Sequence, residues 1–490
     1  MKTDERLRAS SELLYEGDKA FSVTTIKNYC ASFTSTFACQ GLAYTMFASF
    51  LTFVYTEYLG IGAATIGTVM AIGVFVDMAT DVIMGVICDR FHTKYGKAKH
   101  WFFWMAFPVA VTIGLMWMVP VSASTALKII WAVVIYNLYC TFLTTVRLPA
   151  FMFPAIVSDN SKVRMIVIWI ASYAVNIGAT ITGWIITPVV QAFDTELAGY
   201  RALAWLLAGI TVVFIILTGT LLTEKRKGAD LERIEAERKA MKGTEKSIGL
   251  IEQFVSLIRN KYWVGYQAAG LFNSLSLGLT IGSMAYFAQY ILGGMDKIGM
   301  LITVMNIPMM VAPLFILVAV KFFDGKTIAV FCCVGGAIFS LLMWAFGVNT
   351  MIVFIGLMVA RQSFGSCLNG SQAVLLTRAI DYGEWKFGVR QEGLGSSFAG
   401  AFQKITMGIS SAVLGFVLSA AGYTGGGVTE QAAGAIKFLF LGMPGLCMTV
   451  AALIFIFSTM NSKNWTKIRE ELDARAIKDA ADRAAKTTVE

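Results

Sequence analysis

Charge is scarce in this 490-residue chain. Only 14% of its residues are Asp, Glu, Lys or Arg, against roughly a quarter in a soluble protein, while 57% are hydrophobic. So little charge cannot clothe a water-facing surface of this size, which excludes a soluble globular protein. Histidine is scarcer still: the two present, His92 and His100, fall in one short loop. There is no H-E-x-x-H pair, no nucleophile elbow and no phosphate-binding loop, so the chain is not read as an enzyme. The eight cysteines (30, 39, 88, 140, 332, 333, 367 and 447) lack metal-ligand spacing, and the adjacent Cys332–Cys333 is not C-x-x-C. They read as core thiols, with no zinc, no redox role and no cofactor.

What the chain has instead is length in its apolar runs. Twelve of them, at 28–55, 64–88, 101–120, 128–153, 165–190, 202–223, 262–291, 299–321, 327–346, 350–376, 394–420 and 435–459, are each about long enough to cross a hydrocarbon core of roughly 30 Å. Runs this long and continuous predict helices, since only helices and closed barrels satisfy the backbone in lipid. The first 27 residues are polar, so no cleavable signal peptide is expected ahead of the first span. With the N-terminus placed in the cytoplasm, inward segments collect 33 of the 40 Lys and Arg and outward segments only 4. The positive-inside rule therefore puts both termini in the cytoplasm of a cell (inner or plasma) membrane. The net charge of +9 then reflects topology and contact with anionic membrane lipids, and no nucleic acid is implied.

The fold class expected is an all-α membrane protein of twelve transmembrane helices in two six-helix bundles. A cytoplasmic tail at 1–27 precedes the first bundle, 28–223. A charge-rich cytoplasmic linker, 224–261, precedes the second, 262–460, and a charged cytoplasmic helix, 461–490, closes the chain as a solvated tail. Six plus six about a linker is the plan of major-facilitator transporters, whose halves rock around a central site. A monomer suffices for that.

Five charges stand out inside the apolar runs, away from their ends: Asp77, Asp81, Arg147, Arg361 and Lys404. Each is costly at mid-bilayer, by about 2.5–3.5 kcal/mol, and so marks a pair or a function. Asp77 and Asp81 are spaced i,i+4, which stacks both carboxylates on one helix face. Two carboxylates so close in a low dielectric call for a counter-cation, either Na⁺ or an exchangeable proton. Thr80 offers a hydroxyl oxygen beside them. The alternative reading is a structural ion pair with Arg147 or Lys404. Arg147 could instead hold an anionic substrate group by its planar fork. Arg361 is open between a cavity role and packing. Three cations against two carboxylates would favour an anionic substrate if all five faced one cavity.

Two segments carry a family resemblance. D77-M-A-T-D81-V-I-M-G with T93-K-Y-G-K-A-K-H-W101, and D381-Y-G-E-W-K-F-G-V-R-Q-E-G393 followed by Lys404, resemble the signatures of the glycoside–pentoside–hexuronide:cation symporters, the melibiose-permease group. The resemblance implies a symporter of a small-molecule sugar or glycoside with a coupling cation, Na⁺ or H⁺. It assigns the cation to Asp77, Thr80, Asp81 and Thr144, with Asp77 and Asp81 as the Na⁺ ligands if sodium is used, and coupling to Lys404. Substrate contact is expected at Gln40, Gly41 and Arg147, and at Arg361 if that side chain faces the cavity. Where galactoside carriers of the family have an Asp in the first and fourth helices, this chain has Gly41 and Arg147, which moves the expected substrate toward an acidic sugar such as a uronate or sulfonated sugar. Arg378 stands where the family has an acidic residue. Asp381, Tyr382, Gly383, Glu384 and Arg390 read as a gate or structural turn. The competing function is a related transporter of a lysolipid or other organic anion.

Overall fold

The computed structural model describes residues 18–91, 93, 95–225, 250–346, 350–388, 392–459 and 461–487. Helices occupy every one of the twelve expected spans. They are α1 (Val23–Glu57), α2 (Ala63–Arg90), α3 (Lys99–Met116), α4 (Thr125–Phe151), α5 (Ser161–Gln191), α6 (Glu196–Leu221), α7 (Lys261–Tyr290), α8 (Ile298–Phe322), α9 (Gly325–Phe346), α10 (Met351–Phe387), α11 (Glu392–Ala420) and α12 (Glu430–Phe457). Eleven are long and apolar enough to cross a membrane. The remaining one, α3, is short and opens on Lys99 and His100. A last helix, α13 (Ser462–Thr487), follows. The described residues contain no strand, only a bridge between Thr93 and Gly96. Side-chain oxygens cap the starts of α1 (Ser22), α4 (Ser124), α5 (Asn160) and α6 (Thr195), satisfying amides that have no partner within the helix.

The chain forms two compact units, which are not simply its two sequence halves. The first holds Met1–Glu245 together with Met284–Asn306 and Ala412–Ala433; the second holds Lys246–Ser283, Ile307–Ser411 and Gly434–Glu490. Specific bonds explain why those two later segments join the first unit. The Glu57 carboxylate, at the end of α1, accepts from the Tyr290 hydroxyl at 2.5 Å, from the Tyr423 hydroxyl, and from the Gly426 amide at 3.1 Å. Thr56 and Tyr286 share a hydroxyl bond of 2.8 Å, and the Trp184 indole donates to Thr303 at 2.8 Å.

Within the first unit α1 contains a π-helical stretch, Phe37–Tyr44, that carries Gln40 and Gly41. There α1 meets α5 backbone to backbone: a Cβ on Gly41 would lie 2.9 Å from Gly178 Cα, and one on Gly178 would lie 2.7 Å from Gly41 Cα. Small residues permit this approach where lipid supplies no hydrophobic drive between helices. At one end of the unit the buried Glu224 carboxylate accepts from the amides of Lys97, Ala98 and Lys99 at 2.7, 2.9 and 2.9 Å, pinning the basic turn to the first turn of α3 as a helix N-terminus favours. Gly96 makes this possible, with φ of 121° and no Cβ to strike the carboxylate. His92 and Lys94 of that loop, and linker residues 226–249, lie outside the described residues.

In the second unit α13 is not the freely solvated tail expected. Its Trp465 indole donates to the buried Asp381 at 2.9 Å, its Arg469 lies 3.6 Å from the same carboxylate, and Glu471 accepts from the Trp385 indole at 2.6 Å. Ser462 donates to Asp324 at 2.6 Å, and Arg378 pairs with Asp324 at 2.5 Å. The helix packs one half-buried indole against the unit, and Asp381 has a partner 84 residues away that no local pattern announces.

Candidate functional site

The site is built where α2 and α4 cross. On α2, Gly73, Asp77 and Asp81 recur every fourth residue and so share one face. On α4, Tyr136, Cys140, Thr144 and Arg147 do nearly the same. Gly73 sets the approach: a Cβ there would fall 1.9 Å from the Tyr136 ring, so only glycine lets that buried ring lie against α2. The next turns of the two helices then meet through polar groups. The other side of α2, with Phe75, Val82 and Ile83, is apolar and exposed, as a lipid-facing surface is.

Thr144 donates its hydroxyl toward both Asp77 Oδ1 and Asp81 Oδ1, at 3.0 Å each. Arg147 Nη2 lies 3.5 Å from Asp77 Oδ2 and 3.3 Å from Asp81 Oδ1. Both contacts are longer than the 2.7–2.9 Å of a tight charge-assisted bond. Thus one guanidinium is divided between two carboxylates, and the three groups carry one formal negative charge. A single hydroxyl proton cannot serve two carboxylates fully, and the hydroxyl oxygen keeps lone pairs that suit a hard cation. A monovalent cation, or one proton shared by the aspartates, would balance the cluster.

The structure therefore brings together Asp77, Asp81, Thr144 and Arg147. It does not turn Thr80 onto the carboxylates, because the Thr80 hydroxyl donates to the Asp77 carbonyl at 2.9 Å, the usual fate of a threonine in a helix. Gln40 is half-buried in the π-helical stretch of α1, while the Cβ direction of Gly41 is closed by α5, so position 41 serves helix packing. Arg361 is 2% exposed on α10, donating from Nη1 to the Phe440 carbonyl at 3.0 Å with its guanidinium 5.7 Å from that ring. It packs against the π-helical stretch Phe438–Gly442 of α12. Lys404 is half-buried on α11 in the second unit. Asp381 anchors α13, Tyr382 packs edge-on against Tyr262, Gly383 and Glu384 sit in the last turns of α10, and Gly388 ends that helix at φ of 71°. Arg390 lies outside the described residues. Gly73 and Tyr136 escaped the sequence reading, although the i,i−4 spacing of Gly73 from Asp77 was there to be seen.

A family model described as MFS/sugar transport protein matches residues 32–462. The chain belongs to this family. It is a multi-pass membrane protein of the glycoside–pentoside–hexuronide:cation symporter type. Among similar proteins, the isoprimeverose transporter of Lactiplantibacillus pentosus is 28% identical over 432 residues, covering 86% of each chain. The inner membrane symporter YicJ of Escherichia coli is 24% identical over 436 residues, covering 86% of this chain and 90% of its own. A solved bacterial homologue of the human lysosomal transporter Spinster superposes with a TM-score of 0.65 at 11% identity, over 92% of this chain and 99% of that one, and shares the major-facilitator fold.

Proposed function

We propose that the protein couples Na⁺ or H⁺ entry to the transport of a sugar or glycoside across the plasma membrane, with both termini in the cytoplasm. The supporting observation is the shared cluster: Arg147 reaches Asp77 and Asp81 at 3.5 and 3.3 Å, and Thr144 donates to both. In this mechanism Arg147 holds the carboxylates when the cation is absent. The arriving cation takes oxygen ligands from Asp77, Asp81 and Thr144 and releases the guanidinium, and the freed α4 face favours sugar binding. Coupling is then reciprocal, since a sugar that favours the cation-bound arrangement must tighten the cation by the same factor. Lys404 is assigned the coupling role in the other unit.

The substrate in this reading is a sugar or glycoside. An acidic sugar fits it, because the cation that displaces Arg147 from the aspartates frees its guanidinium, whereas Arg361 is buried against Phe440. Isoprimeverose is the first probe to use, since a relative is named for it. Purified protein in vesicles should concentrate labelled isoprimeverose or a related neutral glycoside when an inward Na⁺ or pH gradient is imposed, and lose the accumulation when an ionophore collapses that gradient. Accumulation indifferent to both gradients would refute the coupling.

A further inference from the structure

Where α7 begins and α12 ends, the second unit has a groove of about 490 Å³ whose lining includes none of the residues assigned to cation or sugar. The lining changes character along its length. At the helix ends stand Lys261, Tyr262, Ser458 and Thr459; deeper in run Gly265, Val450, Leu453 and Ile454. Lys261 is the one charge in this lining, and no acidic residue accompanies it. A basic mouth on an apolar body is the plan of a phospholipid in reverse. We propose that this groove is a binding site for an anionic glycerophospholipid, with one acyl chain along α12 and the headgroup phosphate against Lys261. The site goes beyond the transport reading and takes from it only that these helix ends lie at the membrane surface.

Exposure fixes the direction in which the groove opens. Val450, Leu453 and Phe457 recur along one face of α12, and all three are exposed, as is Val264 on α7, so the opening is toward lipid tails. From Val450 to Phe457 the rise is about 10 Å at 1.5 Å per residue, room for part of an acyl chain. Gly265 keeps the floor clear: a Cβ there would meet nothing nearer than Ile454 Cγ2, at 4.0 Å. At the mouth, donors lack acceptors. Lys261 is exposed, with its ammonium 4.9 Å over the Tyr262 ring, and forms no ion pair among the described residues. The Tyr262 and Thr459 hydroxyls are 2.6 Å apart; one donates to the other, and the second hydrogen is available to a phosphate oxygen. Lys326 donates to the Ile456 and Ser458 carbonyls at 3.2 and 2.6 Å, which fixes the end of α12. Just ahead of α7, the helix Leu250–Arg259 exposes Val255, Ile258 and Arg259 on one face while Leu257 is buried. Aliphatic groups exposed beside a base are what a helix lying in the headgroup layer presents. Each basic group near an anionic surface is worth about fivefold in affinity, a gain that the ammonium of a zwitterionic headgroup cancels.

The test uses purified full-length protein in detergent and follows lipid binding by native mass spectrometry, with dioleoyl phosphatidylglycerol and dioleoyl phosphatidylcholine as probes. The wild type should bind its first phosphatidylglycerol about fivefold more tightly than its first phosphatidylcholine, and millimolar inorganic phosphate should not displace it. Lys261→Gln should weaken phosphatidylglycerol about fivefold and leave phosphatidylcholine unchanged, and Lys261→Arg should retain wild-type binding. Gly265→Leu fills the groove and should weaken both lipids by about fivefold or more. Lys162→Gln, an equal loss of charge at an exposed position on α5, should change neither. Equal binding of the two lipids by the wild type, or unaltered phosphatidylglycerol binding in Lys261→Gln, would overturn the site. Displacement by inorganic phosphate would mean a free-anion site and overturn the lipid; a loss in Lys162→Gln equal to that in Lys261→Gln would mean general surface charge and overturn it equally. Wild-type binding in a folded Gly265→Leu would remove the acyl chain from the groove, and if that variant does not fold, the two Lys261 variants decide alone.

Discussion

At the residue scale, Asp77, Asp81, Thr144 and Arg147 form a cluster whose charge does not close, and the consequences differ for each member. Asp77→Asn or Asp81→Asn should reduce gradient-driven sugar accumulation by at least about tenfold while leaving exchange of sugar, because exchange does not require net cation movement. Arg147→Gln should act in the opposite direction on the cation. A unit charge at 4 Å is worth about 4 kcal/mol at an effective dielectric of 20, so removing the competing guanidinium should lower the half-saturating cation concentration by tenfold or more, measured as cation-dependent uptake. An unchanged half-saturation would mean that Arg147 does not compete with the cation. The carboxylate pair was legible in the sequence from its spacing, and Thr144 from the family resemblance. Gly41 misled because glycine has no side chain to show whether it faces a solute or another helix, and here it faces Gly178. Arg361 could not be placed because its partner is a backbone carbonyl, that of Phe440, and a carbonyl leaves no trace in sequence.

The elements matter as much as the charges. The α2–α4 crossing is set by Gly73 against Tyr136, one helical turn from Asp77, so a branched side chain there should spread the helices and pull Thr144 away from both carboxylates. Gly73→Val should weaken apparent cation affinity by at least severalfold in a transport assay even though it touches no charge; wild-type affinity would refute the packing argument. All twelve helices were legible as apolar runs, eleven of them long and apolar enough to span a membrane, because hydrophobicity over twenty residues is a strong signal, whereas the docking of α13 was not. Its composition reads as solvated. The contacts that hold it are single long-range bonds, Trp465 to Asp381 and Glu471 to Trp385. Trp465→Ala removes a hydrogen bond to a carboxylate that is 2% exposed, and such bonds to charged groups are worth about 1.5–3 kcal/mol. The expected outcome is a lower thermal midpoint in detergent with transport coupling retained.

For the whole molecule, the helices gather into two compact units. The units are defined partly by Glu57, which ties Tyr290, Tyr423 and Gly426 to the first of them. No sequence pattern links residues that far apart, so the unit boundary could not be read from the linker alone. Acid sensitivity also belongs to this scale. Burial opposes ionisation of Asp18, but the Lys225 ammonium, the Ser158 hydroxyl and the Asp159 amide outweigh it and take its carboxyl from 3.8 down to about 2. A depressed value contributes stability above pH 3.8 that is lost only as pH falls toward 2. Amide protection around Asp18, taken relative to the intrinsic exchange rate at each pH, should therefore be flat from pH 8 to pH 5 and fall below about pH 4. The most direct measurement is sugar-dependent cation entry into vesicles carrying wild-type protein, Asp77→Asn or Asp81→Asn, recorded with Na⁺ and with a pH indicator. Addition of a transported sugar should drive entry of one of the two cations in the wild type and of neither in the variants. Equal sugar-driven cation entry in all three proteins would contradict the assignment of the cation site.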